Sequence, residues 1–442
     1  MRVWIKNPLA VLADGAEGGV VVEDVRIVEL VARGGAPAAP VDETFDASRH
    51  VLLPGLVNAH HHFYQTLARA HPAGMTLDLV PWLVALYPIW ARTDERDLRL
   101  ATRVALVELL LSGCTTTADH HNLFPAGLEH AIDIEVEEAR ALGVRATITR
   151  GSMSFSTRDG GLPPENVVQD DDVVLADCER VAKLYHDASP GSMTQIAFAP
   201  CSPYAVHKPL LAPLAALAER LDVRLHTHLL QIEDEERFSV QAHGLRCVDF
   251  LESVGWLTNR LWIAHAVHFS SDDIVRLGRA GVGITHLAAA DMWLQAGICP
   301  VADFEAAGAP VSLGVDGSTS NDSSNMMEAV RHSLMLQRLR YGPRVTPRDA
   351  LRWATQGGAK CLGRDDIGRI AVGTAADLAL FTLEEPRFSG AQDPISALVL
   401  CGAHRADRVM VNGRWRVIDG AVVGLDLERL LAEHRAAALK FA

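Results

Sequence analysis

Short β-rich runs alternate with longer amphipathic helical stretches along most of this 442-residue chain. Eight such runs occur, at 55–60, 115–119, 144–149, 194–200, 223–228, 261–265, 282–286 and 310–316. Helical patterns lie between them, for example at 97–112, 132–142, 209–221, 240–254 and 271–280. Eightfold strand–helix alternation is typical of an α/β fold of the (β/α)8 TIM-barrel type. A doubly wound sheet is the second interpretation, but no Gly-rich phosphate-binding fingerprint follows the first strand.

The two ends of the chain have a different sequence pattern, in which short predicted strands are separated by turns. Neither end is large enough to bury much surface alone, and each would leave strand edges uncovered. We therefore expect 1–54 and 366–425 to combine into one small β-sandwich domain. The barrel would occupy 55–365 as the catalytic domain, and a C-terminal helix would occupy 426–442.

Charge and cysteine usage narrow the expected partners and location. The net charge of −14 argues against nucleic acid and anionic membranes as partners, and leaves a small molecule. The seven cysteines are scattered without a CxxC pair, which favours a reducing cytoplasm. Neither a signal-peptide pattern nor a run of about 18 apolar residues occurs, so we expect a soluble cytoplasmic protein. Barrels of this kind often form dimers, so a homo-oligomer is one of the expected alternatives.

Six of the eight β-rich runs end in histidine or aspartate. These residues are His60 with His62, Asp119 with His120 and His121, His226 with His228, then His265, His286 and Asp316. The carboxyl ends of barrel strands meet at one mouth, where the chemistry of such barrels takes place. Residues two apart in a strand share a face, so His60 and His62 should project together and His61 away from them. The pattern predicts a metal site at this mouth.

His60, His62 and His228 offer three nitrogen ligands, and Asp316 offers an oxygen. One ion is expected, because the fourth run ends without a lysine that could bridge a second. Zinc is favoured, although iron also suits such ligands, and zinc would lower the pKa of a bound water toward about 7. His265 is placed to polarise the substrate or pass a proton, and Asp316 to accept the water proton. His226 is expected to support the site without binding the metal.

Several motifs resemble the metal-dependent amidohydrolase superfamily, and more narrowly its cytosine/guanine/triazine deaminase branch. They are PGLVNAHHH at 54–62, AHAVH at 264–268, GVDG at 314–317 and GRIAVGTAADLALF at 368–381. Within the branch, HHHFYQTL, GCTTTADHH, TRDGGLPP, PCSPY and LCGAHRADRVMVNGR are most similar to 8-oxoguanine deaminases and hydroxytriazine hydrolases. The resemblance spans nearly the whole chain. It implies one zinc on His60, His62, His228 and Asp316, catalytic assistance from His265, and a substrate contact by Gln65.

The resemblance also implies hydrolytic deamination, in which water attacks an amino-bearing ring carbon and ammonia leaves. The expected substrate is 8-oxoguanine, which would give urate. Isocytosine-type pyrimidines and hydroxytriazines come next, the latter losing ammonia or an alkylamine. An interpretation from another class is a catalytically silent, metal-binding barrel used as a sensor or scaffold; the intact ligand set argues against it.

Two departures from the branch pattern fall in the expected pocket. The branch carries Glu three residues after the fifth-strand histidine, whereas this chain has Gln231, whose amide cannot take up and release a proton as a carboxyl does. The branch motif HCPxSN is replaced by the segment from His286 to Asp291. We therefore predict His286 and Asp291 as substrate-binding residues and Gln231 as a catalytic-site residue.

Because that Glu is absent, there are three alternatives for the proton transfer that it normally performs. Gln231 orients the ring while Asp316 and His265 carry the protons. Alternatively another acid takes over, Asp291 in preference to Glu233, or the enzyme acts on a different heterocycle.

A polar, Gly- and Pro-rich segment at 151–172 follows the third β-rich run. A loop of this length inside a compact domain is usually functional, so we predict a lid over the pocket. A passive surface insertion is the alternative.

Overall fold

The chain begins with six strands that belong to two different sheets. In the computed structural model, which describes residues 1–442, they are β1 (Arg2–Lys6), β2 (Ala10–Val11), β3 (Gly19–Glu23), β4 (Arg26–Val31), β5 (Glu43–Asp46) and β6 (His50–Pro54). The first sheet has the order β4-β3-β1-β5, and β2 and β6 belong to the second. Runs of β-branched residues, such as the three valines of β3, favour the extended conformation there.

Eight parallel strands then form the barrel, each beside the next in chain order. They are β7 (Leu56–Asn58), β8 (Cys114–His121), β9 (Arg145–Ser152), β10 (Thr194–Pro200), β11 (Arg224–Leu229), β12 (Leu261–His265), β13 (Gly283–His286) and β14 (Val311–Leu313). The last strand meets the first where the Ala59 amide donates to the Leu313 carbonyl at 3.0 Å. The predicted (β/α)8 barrel is confirmed, and each strand overlaps one of the eight predicted runs.

Helices follow the strands and pack around the barrel. They are α1 (Leu79–Trp90), α2 (Glu95–Leu111), α3 (Ala131–Leu142), α4 (Asp171–Tyr185), α5 (Lys208–Leu221), α6 (Asp234–His243), α7 (Cys247–Ser253), α8 (Ser271–Ala280), α9 (Ala288–Trp293), α10 (Val301–Ala306), α11 (Met326–Tyr341), α12 (Pro347–Arg352), α13 (Gly358–Cys361), α14 (Pro394–Leu400) and α15 (Leu427–Ala438). The helix predicted over 240–254 is divided between α6 and α7, because Gly244 adopts φ 68° and ends α6. None of these helices combines the length and the apolar character needed to cross a membrane.

The last strands complete the second sheet. They are β15 (Leu378–Thr382), β16 (Arg408–Val411), β17 (Arg414–Ile418) and β18 (Ala421–Val422), and the sheet order is β18-β17-β16-β15-β6-β2. The C-terminal strands join the N-terminal ones through the antiparallel pairing of β15 with β6. Apolar side chains of both sheets share one core, which includes Ile5, Val20, Leu52, Leu378 and Met410. The two chain ends thus build one small β-structure, although the first sheet is made from the N-terminal segment alone.

The segment between β9 and α4 forms no regular element apart from two short 3-10 turns, Thr157–Asp159 and Glu165–Val167. Between these turns the chain runs past the carboxyl-terminal mouth of the barrel, where residues Gly160, Gly161, Leu162 and Pro163 line a cavity.

Candidate active site

A cavity of about 330 Å³ opens at the mouth of the barrel, a size within the range of small-molecule sites. Its lining includes six of the predicted site residues, His62, Gln65, His228, Gln231, His265 and Asp316. The other walls come from α1, from the predicted lid and from the turn after β11. The cavity thus lies at the carboxyl ends of the barrel strands, where the site was expected from the sequence.

Three histidine nitrogens and one carboxylate oxygen converge at this mouth. Nε2 of His228 lies 3.2 Å from Nε2 of His60 and 3.3 Å from Nε2 of His62. Oδ1 of Asp316 lies 3.3 Å from Nε2 of His60 and 3.6 Å from Nε2 of His62. The four residues predicted as metal ligands are thus brought together; His60, His62 and Asp316 are buried, and His228 is partly buried.

Hydrogen bonds on the opposite ring nitrogens determine which atoms face the centre. Nδ1 of His62 lies 2.7 Å from the carbonyl oxygen of His120, and Nδ1 of His228 lies 2.6 Å from that of Cys201. A carbonyl oxygen only accepts, so each Nδ1 carries the proton. Nε2 of His62 and Nε2 of His228 therefore present lone pairs to the centre.

His60 has the same tautomer, with the proton on Nδ1, because of its contact with His226. Nδ1 of His226 donates to the carbonyl oxygen of Trp262 at 2.8 Å, so Nε2 of His226 is an acceptor. That acceptor lies 2.7 Å from Nδ1 of His60, which must donate. His226 consequently fixes the tautomer of His60, and Nε2 of His60 is the third lone pair at the centre.

Three lone pairs and a carboxylate oxygen at these distances repel one another unless a cation lies between them. Imidazole nitrogens with a carboxylate oxygen are a donor set for zinc and related divalent metals, and each imidazole has its second nitrogen hydrogen-bonded, as metal-binding histidines do. Asp316 adopts φ 65°, an uncommon backbone conformation for a residue other than glycine, and such positions concentrate at functional sites. The side chains present therefore fit a divalent metal.

His265 lies at the end of β12 and is held from behind by Asp291 of α9. Nδ1 of His265 lies 2.8 Å from Oδ1 of Asp291, and both side chains are buried. Burial alone would lower the pKa of His265, but the Asp291 carboxylate raises it above its ordinary value. A ring nitrogen of His265 also lies within 4.8 Å of the ligand atoms of His60 and Asp316. His265 is thus placed between the metal-ligand group and a fixed carboxylate.

The structure places neither His286 nor Asp291 at the cavity, where both were expected to contact the substrate. Asp291 is turned to His265, and His286 is buried, with Nε2 accepting from Nε2 of Gln337 at 3.1 Å. Neither residue lines the cavity, because the short helix α9 carries the segment behind His265. Glu233, the alternative acid, has a side chain that is 76% exposed and lies outside the cavity lining.

Gln65 lines the cavity, and its amide orientation is fixed by Thr319. Oε1 of Gln65 accepts from the backbone amide of Thr319 at 3.3 Å and from its hydroxyl at 2.5 Å. A Cβ at Gly317 would lie only 2.0 Å from Oε1 of Gln65, so a larger residue there would displace the Gln65 amide. With Oε1 occupied, Nε2 of Gln65 is left as a donor for a ligand.

Gln231 also lines the cavity, and its Nε2 is buried without a hydrogen-bond partner. The turn that carries it is held by Glu235, which the sequence reasoning missed. The Glu235 carboxylate accepts from the backbone amides of Leu230, Gln231 and Ile232 at 2.7, 3.0 and 3.3 Å. The only signal in the sequence was the acidic residues that begin α6, which are common at helix N-termini for reasons unrelated to a site.

An aromatic wall from α1 was missed as well. Trp82 and Trp90 pack with ring centroids 5.2 Å apart, and Trp90 lies 5.7 Å from Tyr64. Tyr87 of the same helix contributes to the lining. The sequence of α1, LVPWLVALYPIW, is apolar on nearly all sides, so no regular polar stripe marked it as a helix.

The comparison with known proteins agrees with this geometry. The Amidohydrolase family profile matches residues 51–416. The 8-oxoguanine deaminase of Pseudomonas aeruginosa is 59% identical over 441 residues, which cover 99% of this chain and 98% of that protein. The hydroxydechloroatrazine ethylaminohydrolase of Pseudomonas sp. strain ADP is 38% identical over 384 residues, which cover 84% of this chain and 79% of that protein.

The solved structure of atrazine chlorohydrolase from Arthrobacter aurescens TC1, complexed with zinc, superposes with a TM-score of 0.93 at 32% identity. The match covers 99% of this chain and 100% of that one. The likeness to the superfamily inferred from the strand-end motifs is confirmed. A profile match over most of the chain, together with relatives that align along nearly all of it, shows that this chain belongs to the amidohydrolase family.

Proposed function

We propose that this enzyme is a metal-dependent deaminase that converts 8-oxoguanine and water to urate and ammonia. The observation that carries the proposal is the convergence of the Nε2 lone pairs of His60, His62 and His228 on Asp316, beside the His265–Asp291 pair. The 59% identity to an 8-oxoguanine deaminase supports the choice of base.

We infer that the metal is one zinc ion held by His60, His62, His228 and Asp316. The zinc complex of the related chlorohydrolase supports zinc over iron. When bound, the ion supplies Lewis-acid chemistry that makes water nucleophilic near neutral pH.

Asp316 and His265 are the groups positioned to move protons. Asp316 takes a proton from the attacking water and passes it to the departing amine, while Ser320 donates to its Oδ2 at 3.1 Å and fixes the carboxylate plane. His265 donates to the ring nitrogen beside the attacked carbon and recovers that proton as the C–N bond breaks. Asp291 and Glu233 do not line the cavity, and the carboxylate of Glu235, which does, is bonded to three backbone amides. We therefore favour the arrangement in which Gln231 orients the ring and carries no proton.

Two side-chain amide donors, on Gln65 and Gln231, determine which hydrogen-bonding edge of the substrate faces them. Nε2 of Gln65 is left free by the bonds to Thr319, and Nε2 of Gln231 has no partner in the protein. Nε2 of Gln231 therefore favours an acceptor on the ligand, since a buried donor left unpaired is unfavourable, and Nε2 of Gln65 offers a second donor. 8-Oxoguanine supplies carbonyl oxygens and ring nitrogens as acceptors, so it suits both donors.

A hydroxytriazine that loses an alkylamine is the second candidate. The observation that favours it is the apolar wall of the cavity, formed by Trp82, Leu83 and Phe238 among others, which suits an alkyl group. The 38% identity to an ethylaminohydrolase also supports it.

The test is a screen of zinc-loaded protein for amine release from 8-oxoguanine, guanine, isocytosine and an ethylamino-hydroxytriazine. We expect the highest kcat/KM with 8-oxoguanine, and urate as the product. A preference for the triazine would select the second candidate, whereas no turnover of any of the four would contradict the proposal. On the grounds of charge and cysteine usage given above, we further propose that the enzyme works in the cytoplasm on a small-molecule substrate.

A further inference from the structure

A second cluster of acid and histidine side chains lies behind the site, on the side of β8 that faces α3. Asp119 and His121 alternate along β8 with His120, whose ring packs with the ligand histidines inside the barrel. They therefore point away from the barrel interior, toward Glu135 of α3. All three side chains are fully buried, and one ligand-type atom from each lies within 4.8 Å of the others.

Hydrogen bonds define the state of His121. Its Nε2 lies 2.7 Å from the carbonyl oxygen of Leu123, which can only accept, so Nε2 carries a proton. Its Nδ1 lies 2.8 Å from Oε1 of Glu135. Two such atoms approach to this distance when a proton lies between them.

The two carboxyl groups lack a compensating cation. Oδ1 of Asp119 accepts from the backbone amide of Phe63 at 2.7 Å, whereas Oδ2 of Asp119 and Oε2 of Glu135 have no partner elsewhere in the protein. The nearby Arg150 is bonded to Asp177 at 2.5 Å. Two uncompensated carboxylates in one buried site are strongly unfavourable, and burial raises the pKa of both Asp119 and Glu135.

A metal ion would also neutralise the cluster, but the spacing argues against one. The donors at the mouth of the barrel, which fit a metal, lie 3.2 to 3.6 Å apart. The 2.8 Å between His121 and Glu135 is shorter than these distances and has the length of a hydrogen bond.

We propose that Asp119, His121 and Glu135 form an electrically neutral cluster that holds two protons besides the one on Nε2 of His121. One lies between Nδ1 of His121 and Oε1 of Glu135, and the other lies between the two carboxyl groups. With this assignment every polar atom of the three side chains has a partner.

The cluster is a positioning device for the wall of the cavity. Asp119 accepts a hydrogen bond from the first backbone amide of the 3-10 turn Phe63–Ala68. This turn follows His62 directly. This turn carries Tyr64 and Gln65, both of which line the cavity. The protons held behind β8 thus keep Asp119 in place, and Asp119 keeps Gln65 in place.

Two substitutions of Glu135 in the zinc-loaded enzyme test the proposal. A glutamine copies the neutral acid, so Glu135→Gln should keep kcat and KM within about threefold of the parent. Glu135→Ala should raise KM about tenfold through the displaced turn, the effect of about one lost hydrogen bond, with kcat less affected. Glutamine as damaging as alanine would overturn the neutral assignment.

Infrared difference spectra and metal analysis test the same assignment without substrate. The parent at neutral pH should show a protonated-carboxyl band that Glu135→Gln lacks, and both proteins should hold the same number of metal ions. No such band, or a second metal equivalent lost in Glu135→Gln, would overturn the proposal. The KM readout rests on the proposed function, whereas the spectrum and metal content do not, so the two can fail separately.

Discussion

Asp291 holds His265 through a buried contact of 2.8 Å between Oδ1 and Nδ1. This bond orients the imidazole and fixes the nitrogen that bears the proton, as carboxylates behind functional histidines do. We expect Asp291→Asn to lower kcat about 10–100-fold with little change in KM or metal content.

Glu233→Gln is the matched control for that variant, because Glu233 is exposed and lies outside the cavity lining. It should retain the parental kcat. An Asp291→Asn enzyme with kcat within twofold of the parent would show that His265 does not depend on this carboxylate.

Removal of one predicted ligand should remove the metal. His228→Ala leaves two imidazoles and one carboxylate, and we expect metal analysis to fall from about one ion per chain to a small fraction of that. A chelator should lower the Tm of the parent and leave that of the variant unchanged, because only the parent gains stability from bound metal. His130→Ala, at an exposed histidine, serves as the control. A metal content like the parent's in His228→Ala would refute the site.

Gln231→Ala should weaken substrate binding more than it slows the chemical step. The lost amide donor is worth about one hydrogen bond, so KM for 8-oxoguanine should rise about tenfold while kcat changes less. Steady-state kinetics with Gln241→Ala as the control, an exposed glutamine of α6, provides the comparison. A large fall in kcat at unchanged KM would instead assign Gln231 a part in the proton transfer.

Asp366 should make the stability of the protein sensitive to acid. Arg364 bonds both of its carboxylate oxygens, at 2.8 and 2.7 Å, and the Gly191 amide adds a third bond at 2.6 Å. Burial alone would raise the pKa of Asp366, but these bonds hold it at about 2. Because an unfolded aspartate titrates near 3.9, the stabilisation is complete above about pH 4 and disappears as the pH falls through about 2.

We therefore expect Asp366→Asn to lower the free energy of unfolding at pH 7 by about 1–2 kcal/mol, and the difference from the parent to shrink between about pH 4 and pH 2. Urea unfolding across this range measures it, with Asp365→Asn, at an exposed neighbour, as the control. A difference that stays constant with pH would exclude this carboxylate as the cause.

Features set by local pattern were predictable from the sequence. Strand–helix alternation identified the barrel, and the two-residue period separated His60 and His62 from His61. Because all strand ends meet at one mouth, the same reasoning brought His228 and Asp316 to that pair without knowledge of the packing.

Features set by packing between distant segments were not predictable in this way. Whether Asp291 faces the cavity or His265 depends on the angle at which α9 leaves β13. The role of Glu235 depends on a turn whose three amides point at one carboxylate, and the wall made by Trp82 depends on where α1 crosses the mouth. No periodicity in the sequence encodes these directions.

The pairing of β6 with β15 bears on when the site can form during protein synthesis. One residue, Gly55, separates β6 from β7, and its amide donates to the carbonyl of Asp377 at 2.8 Å. All eight barrel strands and every proposed ligand leave the ribosome before β15 does. A nascent chain thus carries the complete ligand set while β6, which precedes His60, is paired with β2 but still lacks β15. We therefore expect stable metal capture only once the C-terminal sheet has been made.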